Sequence, residues 1–384
     1  MKLNGYIREN GSAGLRNYTL VLSTVACANH VSEKIAAASG CACFCHATGC
    51  TQMGADLEQT TRTLIGAGKN PNVGAVLVVS LGCEGVNAQE VVEGIKTCGK
   101  PVEFVGIQQC GGTTSAIAKG TQIAEKFQKA LAAQKKQEID VSQIVLGLEC
   151  GGSDFTSGIV SNPLVGYVAD KLVSLGGTVI LSETTEMIGA EHLLSARACN
   201  QKVAKEILAA VNNVERQAKN MNEDLRGSQP TPGNIEGGLS TIEEKSLGCL
   251  AKAGSTTVNE MLRYGDIPSK KGLVIMDTPG YDVESVTGML AGGSQIVLFT
   301  TGRGTPVGSP FAPVIKITGN PNTAKNMADN IDFDASCVLA GKETLEAAGE
   351  RLFALMLETA NGALCCSEKL GHCEAAITRQ GPSF

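Results

Sequence analysis

The sequence predicts an α/β protein of two domains, each with a largely parallel sheet and helices on both faces. Three observations carry this expectation. Short apolar runs rich in Val, Ile and Leu do not alternate with polar residues, as suits strands covered on both faces. Longer stretches with helical spacing stand between them, and strand alternating with helix builds a parallel sheet. The length, 384 residues with 43% hydrophobic and 18% charged content, exceeds what one simple domain needs.

In chain order the strands are Tyr18–Thr24, Val73–Leu81, Val102–Ile107, Ile144–Leu148, Thr178–Leu181, Leu273–Met276, Ile296–Thr300 and Pro313–Ile317. The helices between them are Ala55–Gly66, Ser115–Gln134, Pro163–Leu175, Ala190–Val211 and Glu343–Leu357. Gln217–Gly238 breaks the rhythm, because turn formers and polar residues dominate it. A boundary is expected there, giving domains 1–220 and 239–384 joined by a linker at 221–238. Ser240-Thr241-Ile242-Glu243 then reads as a capping box opening the next helix.

A net charge of −6 argues against a generic nucleic-acid binder, so any anion site must be built locally. No apolar run reaches the roughly 18 residues that span a membrane. The opening residues lack the apolar region of a signal peptide, so a cytoplasmic protein is expected. Fifteen cysteines form a high and odd count for a reducing compartment, where most must be packing residues.

Four times an apolar strand ends in a cysteine beside glycine. The sites are His46-Ala-Thr-Gly49-Cys50, Gly82-Cys83-Glu84, Cys110-Gly111-Gly112 and Glu149-Cys150-Gly151-Gly152. Ligands bind outside the carboxyl ends of parallel strands, so residues ending different strands become neighbours. The bland reading is a small hydrophobe at each strand end. The functional reading is iron, either a thiolate-ligated cluster or a mononuclear Fe2+ centre helped by histidine and carboxylate. Cys-x2-Cys spacing is missing, which disfavours a zinc ribbon.

Among four histidines, His46 has the strand-end placement of a ligand or proton carrier. Glu183 ends the strand Thr178–Leu181, and His192 follows Glu186 and Glu191; these are acid–base candidates. Thr301-Gly302-Arg303-Gly304 follows another strand, and an Arg between glycines suits a substrate carboxylate. Two look-alikes fall away. Gly94–Lys100 imitates a phosphate loop but has Pro101 where Ser or Thr must stand. Asp277-Thr278-Pro279-Gly280 imitates a nucleotide switch with no such loop to serve.

The chain resembles the altronate/galactarate dehydratase family over nearly its whole length. The matching stretches are Gly5-Tyr-Ile-Arg8, Gly14-Leu-Arg16-Asn17, His46-x-x-Gly49-Cys50-x-Gln52, Leu81-Gly82-Cys83-Glu84 and Glu149-Cys150-Gly151-Gly152-Ser153-Asp154. Ser182-Glu183-x-x-Glu186, Glu244-Lys245-Ser246-Leu247-Gly248 and Thr300-Thr301-Gly302-Arg303-Gly304-Thr305-Pro306 follow in order.

That resemblance implies an iron-dependent lyase eliminating water from a sugar acid. A sulfolactate sulfo-lyase, which eliminates sulfite, is a sister activity. Mapped onto these motifs, Cys50, Cys83, Cys150 and Glu84 would hold the metal, and His46, Glu183 or His192 would move protons. Arg303, Thr301, Gly302, Ser153, Asp154 and Gln52 would bind the hydroxy acid. Fused members carry a small β-rich domain before the Gly-Tyr-x-Arg opening, so a separate small subunit and an oligomer are expected. A non-catalytic metal-binding or nucleotide-binding subunit is the alternative of another class.

Overall fold

A computed structural model describes residues 1–383; Phe384, the last residue of the expected second domain, lies outside them. The strands in chain order are β1 (Lys2–Ile7), β2 (Ala13–Gly14), β3 (Tyr18–Ser23), β4 (Ala42–Phe44), β5 (Val73–Ser80), β6 (Val102–Gly106) and β7 (Gln137–Asp140). They continue with β8 (Val145–Cys150), β9 (Thr178–Leu181), β10 (Val258–Leu262), β11 (Gly272–Met276), β12 (Ile296–Thr300), β13 (Val314–Thr318) and β14 (Phe333–Asp334).

Three sheets result: antiparallel β2-β1-β7, parallel β4-β3-β5-β6, and parallel β10-β11-β9-β8-β12-β13-β14. The apolar runs explain the two parallel sheets. Along β5, Val76 and Val78 enter one core while Leu77 and Val79 enter another, because successive side chains point to opposite faces. Along β8 and β12, Leu146, Leu148, Ile296 and Leu298 pack on one side, and Val297 and Phe299 on the other. One core is shared: Val76 and Val78 of the four-stranded sheet and Val274, Val297 and Phe299 of the seven-stranded sheet belong to the same cluster.

The boundary expected at 221–238 is corrected. β8 and β9 pair with β12 and β11, so residues from about 141 onward already belong to the second sheet. The turn-rich segment instead forms the short helices Leu225–Ser228 and Pro232–Glu236, which lie over a cavity of that sheet. Its composition signals irregular backbone, which a cavity wall needs as much as a linker does. The capping box also shifts by one residue. Thr241 accepts from the Glu244 N–H, while Glu244 reaches back to the Ser240 N–H. Among the described residues no helix is long and apolar enough to cross a membrane.

Candidate active site

Four neighbouring strands of the seven-stranded sheet run in the order β11-β9-β8-β12, and each delivers chemistry at its carboxyl end. Cys150 ends β8 directly opposite Thr300 of β12. Glu183 stands two residues beyond β9, and Asp282 opens the helix Asp282–Ala291 after β11. The helix Ile242–Leu250 closes the assembly with Lys245 and Cys249. A cavity of about 420 Å³ lies between them, walled by Cys150, Ser153, Glu186, Lys245, Asp282 and Arg303 among others.

At its floor, Cys150 Sγ lies 3.5 Å from Cys249 Sγ and 3.8 Å from Glu183 Oε1. Lys252, fully buried, donates to Glu183 Oε2 at 2.5 Å, and the Cys150 N–H donates to the same oxygen at 2.9 Å. Glu183 adopts a left-handed backbone, φ 66°, which is uncommon for a non-glycine residue and concentrates at functional sites. The Thr278 hydroxyl accepts from its N–H at 2.7 Å and helps hold it there. Above, Lys245 donates to Glu186 at 2.7 Å. Gly151 is required by a close approach, since a Cβ there would lie 2.2 Å from Asp282 Oδ2.

Negative groups crowd this floor. Burial and the Glu183 charge push Asp282 up to about 7 and hold Glu149 well above the carboxylate range. The shared contact with Cys249, then burial, raises the Cys150 thiol. Burial alone would lower the Lys252 ammonium; the surrounding Cys150, Cys249, Glu183 and Glu149 overcome it and raise Lys252 instead. The donor atoms of Cys150, Glu183 and Cys249 all lie within 4.8 Å of one another, close enough for one ion. Two sulfurs and a carboxylate suit a borderline transition metal such as iron.

The expected three-thiol site of Cys50, Cys83 and Cys150 is not assembled within this chain. Cys50 and Cys83 are exposed on loops that follow strands of the four-stranded sheet, and neither lines the cavity. Their loops do meet, through the Gly85 and Val86 N–H groups donating to Gly49 O, but on a different sheet from Cys150. Glu84 stays with them, accepting from Thr24 Oγ1 at 2.6 Å and from the Gly82 N–H at 2.7 Å. His46 is buried on that side with both ring nitrogens engaged, and burial lowers it to about 4. Gln52 ties the same loop, accepting from Gly49 N–H and donating to Asp56 and Thr60. His192 is exposed on the helix Glu191–Ala196 and does not line the cavity.

Of the expected substrate contacts, Ser153 and Arg303 line the cavity. Arg303 donates through Nη1 to Gly233 O and Glu236, and its other nitrogens have no partner among the described residues. Asp154, Thr301 and Gly302 brace the loops instead. Asp154 accepts from Thr156 Oγ1, Ser157 N–H and Asn320 Nδ2, and the Thr301 hydroxyl accepts from the Gly304 N–H.

Cys249, Lys252 and Asp282 carry no strand-end signature in the sequence. Two signals were usable. One is the family stretch Glu244–Gly248, which holds Lys245 and directly precedes Cys249. The other is Asp277-Thr278-Pro279-Gly280, which follows an apolar strand, binds the Glu183 N–H through Thr278 and lines the cavity with Gly280.

Thiols, carboxylates and ammoniums gathered at the carboxyl ends of a parallel sheet, around a cavity, define an α/β enzyme site. Residues 141–383 match the model of the D-galactarate/altronate dehydratase C-terminal domain, and residues 5–132 that of the D-galactarate dehydratase/altronate hydrolase second domain. The division between them falls where the two parallel sheets part. The chain is 40% identical over 378 residues to the (2R)-sulfolactate sulfo-lyase subunit beta of Chromohalobacter salexigens, covering 98% of this chain and 96% of that one. It is 36% identical over 389 residues to the altronate dehydratase of Bacillus subtilis and 35% over 388 residues to that of Escherichia coli. These two matches cover 98% of this chain and 77% of each relative. The chain belongs to the D-galactarate/altronate dehydratase family.

Proposed function

We propose that this chain is the catalytic part of an iron-dependent lyase that eliminates water from a sugar acid. The observation that carries the reading is the convergence of Cys150, Cys249 and Glu183 under a cavity whose wall presents Lys245 and Arg303. Those three residues would hold the iron, and bound iron would supply a Lewis acid for the substrate carboxylate and hydroxyl.

The protein's own side chains account for the rest. Removing the α-proton of a carboxylate puts two negative charges on one fragment, which needs positive groups close by. Arg303, with Nε and Nη2 unengaged, takes the distal end of the acid. Lys245, an ammonium held by Glu186, donates a proton to the departing hydroxyl, and Glu186 receives the one removed. Their place in the cavity favours this pair over His46 and His192.

Elimination of sulfite is the second reading. It is favoured by the identity, 40% to the sulfo-lyase subunit beta against 36% and 35% to the altronate dehydratases. That relative is named as a subunit beta, which supports a multi-subunit enzyme with a second chain. Anaerobic purification with iron analysis, followed by turnover of altronate, galactarate and sulfolactate, tests both readings. One of the three should be consumed, and Cys249→Ser should lose iron and activity together. An iron-loaded protein that turns over none of them, alone or with a co-expressed small subunit, would refute the proposal.

A further inference from the structure

Glu183 belongs to two groups of donor atoms. With Cys150 and Cys249 it makes the sulfur-bearing group, and with Glu149 and Asp282 an all-carboxylate group whose oxygens lie within 4.8 Å of one another. The three acids come from separate places: Glu149 within β8, Glu183 beyond β9, and Asp282 at the start of its helix. Oxygens so spaced can share a cation with ligand distances of about 2.0–2.6 Å. Acidic groups cluster in many proteins without an ion, so proximity alone decides nothing.

Glu149 supplies the deciding observation. Its side chain is 0% exposed. Oε2 accepts from Ser285 Oγ at 2.6 Å and from Ser182 Oγ at 3.1 Å, whereas Oε1 has no partner among the described residues. Protonation does not cure this: Oε1 would lack a donor as a carbonyl oxygen and an acceptor as a hydroxyl. Native proteins rarely leave a buried oxygen in that condition. Lys252 does not serve it, since its hydrogen bond goes to Glu183.

We propose that Glu149, Glu183 and Asp282 form a second cation position, taking a hard divalent ion such as Mg2+ or Mn2+ and sharing the Glu183 carboxylate with the iron position. All-oxygen donors select hard ions, whereas thiolates select softer metals, so the two positions differ in preference. Asp282 lines the cavity, which gives the ion a route in. The inference rests on the proposed function only in naming iron as the neighbour.

Mn2+ titration of the anaerobically iron-loaded protein, read by the loss of the free-ion paramagnetic resonance signal, tests it, with iron measured in the same samples. One Mn2+ should bind per chain. Asp282→Asn and Glu149→Gln should each weaken binding at least tenfold and leave the iron content unchanged. If Glu149→Gln does not fold, the more superficial Asp282→Asn decides. Cys249→Ser should lose iron and keep Mn2+ binding, which separates failure of the iron assignment from failure of this one. No Mn2+ binding to the wild type, or equal affinity in the variants, would overturn the second position. So would loss of iron together with Mn2+ in both carboxylate variants.

Discussion

The imidazole of His46 is 4% exposed, with Nε2–H donating to the Ser23 carbonyl at 2.9 Å and Nδ1 accepting from the Thr48 hydroxyl at 2.7 Å. That geometry favours the neutral ring, because a second ring proton on Nδ1 would face the Thr48 backbone N–H, which donates to that nitrogen at 3.2 Å and cannot accept. Burial therefore lowers the group from 6.5 to about 4, partly offset by the Ser23 carbonyl. The consequence for stability has a definite sign. Above pH 6.5 the ring is neutral in both states and stability is unaffected. As the pH falls towards 4, the unfolded chain takes up a proton that the native site refuses, and stability drops; below 4 the loss levels off. The magnitude is about 3 kcal/mol. Urea unfolding between pH 7 and pH 4 should show the wild type losing about 3 kcal/mol more than His46→Gln. Equal losses in the two proteins would contradict the buried, neutral assignment. Glu183 is held by its surroundings in another way: its left-handed backbone and its bond to Lys252 fix the carboxylate beside Cys150 and Cys249.

Loops after the strands complete a site whose cysteines sit on a strand and a helix. Gly302 shows this: a Cβ there would lie 2.2 Å from Asp154 Cγ, and Asp154 fastens the loop after β8 to Asn320. Gly302→Ala should therefore push two strand-end loops apart, costing about 1–3 kcal/mol and lowering turnover well beyond that stability loss. Thermal unfolding and kinetics on the same preparation check it; activity retained with only a lower melting temperature would refute the coupling. The same scale shows what the residues disclosed. Runs such as Thr178–Leu181 and Ile296–Thr300 form strands with those bounds, because covered parallel strands are written as unbroken Val, Ile and Leu. Two edge strands of the larger sheet were silent: β14 has only two residues, and Asn259 and Glu260 interrupt the apolar character of β10, whereas the edge strand β6 of the smaller sheet was read from its apolar run. The single helix expected at Ala190–Val211 is two, Glu191–Ala196 and Gln201–Asn220, with Asn200 capping the second by accepting from Lys202 and Val203 N–H groups. Glycine beside cysteine marked strand ends correctly, but that signature does not say which sheet a strand joins. Cys50 and Cys83 were thus grouped with Cys150, while Cys249, on a helix, was marked only by the family stretch Glu244–Gly248 that precedes it and by no strand end.

The two parallel sheets act as one body through a narrow polar seam set in a shared apolar core. Asn72, fully buried, accepts from the Leu15 and Arg16 N–H groups at 2.9 and 3.2 Å. Its Nδ2 donates to Gln295 O at 2.8 Å and Phe311 O at 3.1 Å, across to the second sheet. Asn70 adds bonds to Leu290 O and Ser294 O, both at 2.8 Å. The C-terminal segment straps the outside, with Gln59 Nε2 donating to Thr378 O on one side and the Ala376 N–H donating to Thr287 on the other. An apolar core tolerates sliding, whereas four directed bonds from one side chain fix a register. Asn72→Leu keeps the volume and leaves four backbone groups without partners in a dry seam. The expected cost is about 4 kcal/mol, since each orphaned buried group loses about 1–3 kcal/mol with partial relaxation. Because those groups belong to both halves, the loss should fall on their coupling. Calorimetry should then resolve two endotherms where the wild type gives one. A single transition at an unchanged temperature would show that the shared core holds the halves together without the seam.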